Sequence, residues 1–428
     1  MTAPPAQDKP IFSFYGDDLT GSTDALEALA LNGVPAVLFL RPPDASDLCR
    51  FRDCRAIGIA GESRSRPPRW MCDALPPVFQ RLREIGAPVV QYKICSTFDS
   101  APQTGSIGCA LEIGQEVFGV PCVPVVPAAP LLERYVVFGN LFAADGHGIH
   151  RIDRHPAMRA HPITPMGESD LLLHLGRQTD RRIARFDLIE LRGNSFRWPV
   201  EAEVVLFDGL DTSDMALAAR RIWGLPFAPQ KFVVGSSGFT YGMLDYWRGQ
   251  GWLPDWRTAP GQANVRSRDE RLLVLAGSCS PGTERQIRSA LCAGFHGIRL
   301  NPADLDVAAA EGEAVAQLAS GGNVILYSAL GSRDRVDVED RPALAAAMGR
   351  LLRKVILVSG VSRVLVAGGD TASFAARELG ISALTFAAPL ARGAPLCRAH
   401  GWHADLELVL KGGQIGPENF FEEVQSWP

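Results

Sequence analysis

Short apolar runs that stop at a glycine- or aspartate-containing turn, then give way to helical periodicity, recur along this chain, and few folds accommodate that pattern. Residues 11–15 are the first such run and meet the turn Gly16-Asp17-Asp18; Ala25, Leu26 and Leu29 then recur at helical spacing over 22–31. Gly33 ends that helix ahead of an apolar run at 36–40. Further runs at 56–60, 89–94, 123–126 and 231–234 predict strands, with helices over 69–85 and 103–118. Periodicity is lost over 249–270, which is rich in Gly, Pro and polar residues. It resumes with a strand at 272–276, a helix near 282–293 and strands at 324–327, 363–367 and 406–410. Strands that alternate with helices return by crossovers, so the expected fold class is α/β: two Rossmann-like three-layer domains with mainly parallel sheets. A chain of 428 residues exceeds the roughly 250–300 at which one core stops growing. The expected division is a first domain over 1–248, a linker over 249–270 and a second domain over 271–428.

Charge narrows the function classes. Lys and Arg total 43 against 47 Asp and Glu, a net charge of -4. That argues against a strongly basic nucleic-acid binder and offers an anionic membrane nothing, so neither partner is expected. The opening MTAPPAQDKP lacks the order of regions found in a secretory leader, and no run reaches the roughly 18 apolar residues of a membrane span. The nine cysteines include no C-x-x-C, so reduced thiols and a cytoplasmic location are expected.

The chemistry concentrates at strand ends, where ligands of parallel sheets bind. In Gly16-Asp17-Asp18-Leu19-Thr20-Gly21-Ser22-Thr23-Asp24, Thr20, Ser22 or Asp24 could simply cap the helix. Adjacent carboxylates repel and need a cation, proton or polar ligand, which capping leaves unexplained. Arg64, after the run at 56–60, has a planar fork suited to a carboxylate or phosphate, or is an ordinary loop arginine. Lys93 with Ser96 and Thr97 could hold a small hydroxylated anion. Gly235-Ser236-Ser237-Gly238 is either a ligand-contacting turn or a plain strand-to-helix connection. The histidine-rich stretch 145–166 matches no zinc pattern and reads as a polar loop facing substrate. In the second half, Gly277-Ser278-Cys279-Ser280, Gly368-Gly369-Asp370-Thr371 and Lys411-Gly412-Gly413 each end a strand, and together they suit an anionic ligand. Neither G-x-x-x-x-G-K-[ST] nor G-x-G-x-x-G occurs.

These motifs, in this order, resemble the four-carbon acid sugar kinase family. Residues 15–24 are similar to its "ADDFTGATD" opening. Ser63-Arg64, Lys93 with Ser96-Thr97, His161-Pro162-Ile163-Thr164-Pro165-Met166 and 235–238 resemble its substrate domain, and the three later turns its nucleotide domain. The resemblance implies an inter-domain cleft and Mg²⁺-assisted transfer of the ATP γ-phosphoryl group to a terminal hydroxyl of a small sugar acid. It implies Asp17 or Asp18 as general base. Arg64, Lys93, Ser96, Thr97, Gly235 and Ser236 would face the substrate. Ser278, Gly368, Gly369, Asp370, Thr371 and Gly412 would line the nucleotide, with no dedicated protein metal site. The expected partners are a small sugar acid and ATP, with room for a homo-oligomer. Many members read K-x-D-S-T-x-R-G at the lysine motif; here Cys95 replaces the Asp and Phe98-Asp99-Ser100-Ala101 the Arg, which points to a different substrate. Two other readings are a non-catalytic sensor of sugar acid and nucleotide, and an aspartate phosphatase, whose Asp-x-Asp-x-Thr pattern the adjacent pair does not fit.

Overall fold

The computed structural model describes residues 9–161, 164–193, 197–226, 229–253, 269–301, 307–331, 334, 341–402 and 405–427. Most of the expected linker, two residues of the His161–Met166 motif and most of the N-terminal stretch read for a leader lie outside them. The chain forms two compact units, residues 1–36 with 42–259, and residues 37–41 with 260–428.

In chain order the strands up to residue 235 are β1 (Phe12–Gly16), β2 (Ala36–Phe39), β3 (Ala56–Ala60), β4 (Val89–Lys93), β5 (Val123–Val126), β6 (Arg134–Val137), β7 (Asn140–Ala144), β8 (Ile149–Arg151), β9 (Ile183–Phe186), β10 (Val204–Phe207) and β11 (Lys231–Gly235). The main sheet of the first unit runs β3-β1-β4-β11-β5-β10-β9, and its pairs are parallel. Side chains alternate across a strand, and β1 shows what that does. Phe12 meets Trp247 of the helix Ser237–Gly249 edge-on, whereas Tyr15 meets Phe79 of the helix Pro68–Ile85 from the opposite face. Helices therefore cover both faces, and the strands read as largely apolar runs because neither face is wet.

Parallel register aligns the strand ends. Gly16 pairs with Ala60 on one side and Lys93 on the other; Gly235 in turn pairs with Lys93 and Val126. Five turns thus leave one edge of the sheet side by side.

The second unit contains β12 (Leu273–Ala276), β13 (His296–Arg299), β14 (Val324–Tyr327), β15 (Arg363–Ala367), β16 (Ala383–Ala391), β17 (Ala394–His400) and β18 (Leu406–Lys411). Its sheet runs β13-β14-β12-β15-β18-β17-β16-β2, parallel as far as β18 and antiparallel beyond it. Ala276, Ala367 and Lys411 are mutually in register, so the three glycine turns also leave together. Val274, Ala276, Ile287, Leu365, Phe420 and Phe421 share one buried cluster on one face of this sheet. Arg363, 2% exposed, donates to Glu407 at 2.8 Å and to the Val424 carbonyl at 3.1 Å, tying the last helix to the sheet.

Several local expectations change. The first helix begins at Leu19 rather than 22, because Asp18 itself is the cap. The expected helix 103–118 begins at Ile107, behind the cap Ser106. The apolar run at 36–40 is a strand, but it joins the second unit by antiparallel pairing with β16, a long-range choice that its own pattern does not encode. Part of the histidine-rich stretch is β8, in a three-stranded antiparallel sheet β6-β7-β8, rather than loop.

Candidate functional site

Two clusters of candidate residues stand at strand ends, one in each unit. In the first, β1 delivers Asp17 and Asp18, and the short helical turn after β3 delivers Arg64. The Arg64 amide donates to the Asp17 carbonyl at 3.0 Å, and the Asp17 amide to the Lys93 carbonyl at 2.9 Å, so the three turns are laced together by their main chains. Arg64 Nη2 and Nε donate to the two Asp17 oxygens at 2.7 and 3.1 Å, while Nη1 donates to Asp18 Oδ2 at 2.8 Å. The acidic pair left unexplained by capping is thus bridged by one guanidinium. An arginine has five N–H groups, so two stay available.

The two acids differ in access. The side chain of Asp17 is 6% exposed and that of Asp18 is 21% exposed. Burial pushes the Asp17 carboxyl up to about 6, against the opposing pull of Arg64 and with a further rise from Asp18. Asp18 caps the first helix: Oδ1 accepts from the Gly21 amide at 2.7 Å and Oδ2 from the Thr20 hydroxyl at 3.0 Å. Gly21 is required here, since a Cβ would lie 2.5 Å from Asp18 Oδ1 and 3.3 Å from Lys93 Nζ.

Lys93, at the end of β4, is buried and pairs with Asp24 at 3.3 Å. Beyond it Ser96 and Thr97 are buried, and the Thr97 hydroxyl bridges to Asp99 Oδ1 at 2.5 Å and Cys95 Sγ at 3.0 Å. Phe98 adopts a left-handed backbone (φ 56) that turns the segment sharply, and Ser100 Oγ closes it on His174 Nε2 at 3.0 Å. Arg134 on β6 lies within electrostatic reach of Cys95, and burial lowers its proton affinity. Sequence reasoning missed Arg134, because no turn or periodic signal marked the short strand that carries it. Asp24 was visible only as a candidate cap.

Gly235 and Ser236 reach the same sheet edge, but their polar groups are used internally. The Ser236 hydroxyl donates to the Ala128 carbonyl at 2.9 Å and accepts from the Gly238 amide at 3.1 Å. Gly238 lets two backbones touch: a Cβ there would lie 2.0 Å from the Ala128 oxygen. In the histidine-rich segment, Nδ1 of His155 accepts from the amides of Ala157 and Met158, and Nδ1 of His161 from that of Thr164. These histidines organise their own turns.

In the second unit, small groups take the place of charges. A Cβ on Gly277 would lie 2.1 Å from Thr371 Oγ1, and one on Gly413 would lie 2.5 Å from Ser278 Oγ. Gly368 has φ 123, which an L side chain rarely adopts, and a Cβ there would lie 3.3 Å from the Ser278 amide nitrogen. The Gly368 amide donates to the Lys411 carbonyl at 2.9 Å, and Ser280 Oγ donates to the Gly413 carbonyl at 2.5 Å. Ser278, Gly368, Thr371 and Gly413 therefore meet in one cradle of amides and hydroxyls, with Gly412 beside it. Gly369 and Asp370 open the helix Gly369–Leu379, and Asp370 is exposed there. Among the described residues, no three His, Cys, Asp or Glu side chains stand close enough to hold a metal ion. Among them, too, no helix is long and apolar enough to cross a membrane, and the nine cysteines are free thiols.

Comparison with known proteins matches both units. Residues 12–243 match the model of a sugar-binding N-terminal domain, and 273–421 that of a nucleotide-binding C-terminal domain. A 3-oxo-isoapionate kinase of Paraburkholderia graminis is 44% identical, covering 97% of this chain and 94% of its own. A 3-oxo-tetronate kinase of Methylobacterium radiotolerans is 30% identical over 95% of this chain and 96% of its own. A solved chain from Salmonella typhimurium LT2 superposes with a TM-score of 0.77 at 24% identity, covering 97% of this chain and 98% of that one. One from Haemophilus influenzae gives 0.72 at 23%, with 97% and 99% covered. At those identities the solved chains speak for the fold.

Proposed function

The chain belongs to the four-carbon acid sugar kinase family, and from that premise we propose that it transfers the γ-phosphoryl group of ATP to the terminal hydroxyl of a small oxo sugar acid. The observation that carries the chemistry is the Asp17–Arg64–Asp18 bridge at the ends of β1 and β3. An alcohol is a weak nucleophile, and a positioned carboxylate accelerates its attack by about 10²–10⁴-fold. Asp18 takes this role, because it keeps an exposed edge while Asp17 is enclosed. Asp17 holds Arg64 in place, and the two remaining N–H groups of Arg64 receive the carboxylate of the acid. Lys93, buried beside Asp24, adds positive field from behind the turn, and Ser96 and Thr97 shape the segment around it.

In the second unit the amides and hydroxyls of Ser278, Gly368, Gly369, Thr371 and Gly412 cradle the polyphosphate. Hydroxyl and carboxylate oxygens suit a hard cation, and a Mg²⁺ ion carried by the phosphates would find Asp370 as its carboxylate, neutralising charge during transfer. Phosphoryl transfer asks for positioning more than covalent help, which fits a site made of fixed turns. Among substrates, 3-oxo-isoapionate ranks first, because the relative named for it is 44% identical against 30% or less for the 3-oxo-tetronate kinases.

The test is an ADP-release assay with ATP, Mg²⁺ and a panel of four- to six-carbon sugar acids that includes both oxo acids. ADP formation matched by a phosphorylated acid is expected. Calorimetric binding of acid and ATP without turnover across the panel would instead favour a sensor.

A further inference from the structure

An ammonium group removed from water is costly unless a carboxylate or several acceptors meet it. Lys411, the last residue of β18, is 0% exposed. Among the described residues its Nζ has a single hydrogen-bond partner, the Thr283 hydroxyl at 3.4 Å, and no ion pair. Its surroundings serve the cradle rather than a counter-charge. Thr283 Oγ1 donates onward to the Gly413 carbonyl at 2.9 Å, and the Lys411 carbonyl accepts from the Gly368 amide at 2.9 Å. One residue is thereby linked to all three turns: to the first through Thr283, whose amide donates to Ser280 Oγ at 3.2 Å, to the second through its own carbonyl, and to the third by chain continuity.

The charged groups on the packed elements are engaged elsewhere or face outward. Glu284, on the helix Pro281–Cys292, pairs with Arg288, and Arg363 pairs with Glu407 at the opposite end of β15 and β18. Asp370 is exposed at the start of the helix Gly369–Leu379. Cys279 is the titratable group of the first turn, and the β17 residue paired nearest to this end is Leu396.

We propose that Lys411 is a positioning residue for the nucleotide: its ammonium, held behind the three turns without a protein counter-ion, is completed by the bound polyphosphate, so nucleotide binding and Lys411 protonation are coupled. The inference rests on the nucleotide-binding reading of this unit. Burial alone pushes the Lys411 pKa down to about 7, so above that pH the free protein carries a largely neutral lysine. A polyanion alongside favours the charged form, and a proton enters with the ligand.

The experiment titrates ADP into the full chain, with and without Mg²⁺, in buffers of different ionisation heat between about pH 7.5 and 9. The wild type should take up about 0.5–1 proton per ADP, and its affinity should fall by up to about tenfold per pH unit. Lys411→Met should bind about tenfold more weakly or worse with no proton uptake, and should raise the KM for ATP while leaving that for the sugar acid unchanged. The wild-type pH series carries the same test should Lys411→Met fail to fold. ADP binding by the wild type without proton uptake, or unaltered affinity and uptake in Lys411→Met, would overturn the proposal and leave the nucleotide reading standing. A wild type that neither binds ADP nor melts at a higher temperature with ATP would overturn both.

Discussion

The two units carry opposite chemistry at the same architectural edge, the carboxyl ends of parallel strands. The first unit sets charged side chains there: Asp17, Asp18 and Asp24 against Arg64 and Lys93. The second sets glycines and small hydroxyls there, and the buried cation at that end, Lys411, has no ion pair among the described residues. On the proposed function, the difference teaches where specificity would reside. In the first unit it lies in side chains whose geometry depends on one another. In the second it lies in main-chain amides and small hydroxyls, and larger side chains matter by being absent.

This contrast can be broken. The largest effect is expected from Asp18→Asn, which should reduce kcat/KM by about 10²–10⁴-fold in the ADP-release assay. Asn is as good a helix cap as Asp, so any fall in melting temperature should reflect only the lost Asp18–Arg64 ion pair, with Asp17 still holding the guanidinium. A rate within a few-fold of wild type would remove Asp18 from the role of base. Arg64→Met comes next. It strands a buried carboxylate at Asp17, and urea unfolding should register a loss of about 3–5 kcal/mol along with the activity. Arg64→Lys should not restore turnover, because an ammonium cannot reproduce the planar fork that grips Asp17 through two nitrogens while reaching Asp18 with a third.

Acid is the third probe. Asp17 keeps its proton up to pH about 6, and below that Arg64 loses its charged anchor. The rate kcat/KM should then fall by about tenfold per pH unit, and Asp17→Asn should show a low rate with no such limb. Stability moves the other way. The folded carboxyl binds its proton more tightly than an unfolded one, so Asp17 favours the fold at low pH and that contribution is lost as pH rises through about 6. Urea melts on either side of that pH, for wild type against Asp17→Asn, would show it.

The second unit answers through its backbone. Gly277→Ala places a Cβ against Thr371 Oγ1 and should raise the KM for ATP by about tenfold, some 1.4 kcal/mol, with the KM for the acid little changed. Equal rises in both would blur the division between the units. The smallest effect on catalysis is expected from Ser236→Ala. Its hydroxyl is engaged by Ala128 and Gly238, so the change should cost about 1 kcal/mol of stability and leave both KM values alone. A raised KM for the acid would return Ser236 to the substrate.

Much of this was legible before folding. Strand-turn-helix alternation is a local pattern, so β1, β5, β14 and β15 emerged close to their final bounds, and the turns at 16–18, 277–280, 368–371 and 411–413 were marked by their own residues. The antiparallel strands β6 to β8, β16 and β17 carried no equally clear period, and Arg134 was missed with them. Within the acidic motif, composition pointed to a pair in need of a cation, but Arg64 comes from 46 and 47 residues away along the chain.

By itself, then, the sequence determined the α/β class and which turns carry polar chemistry, because hydrophobic period and turn residues act over a few positions. Only the tertiary structure decided that Arg64 bridges the two acids, that Ser236 turns inward, that β2 is recruited by the second unit and that Lys411 is enclosed without an ion pair. Those outcomes depend on burial and on register between distant segments, and such quantities exist only once the chain has packed.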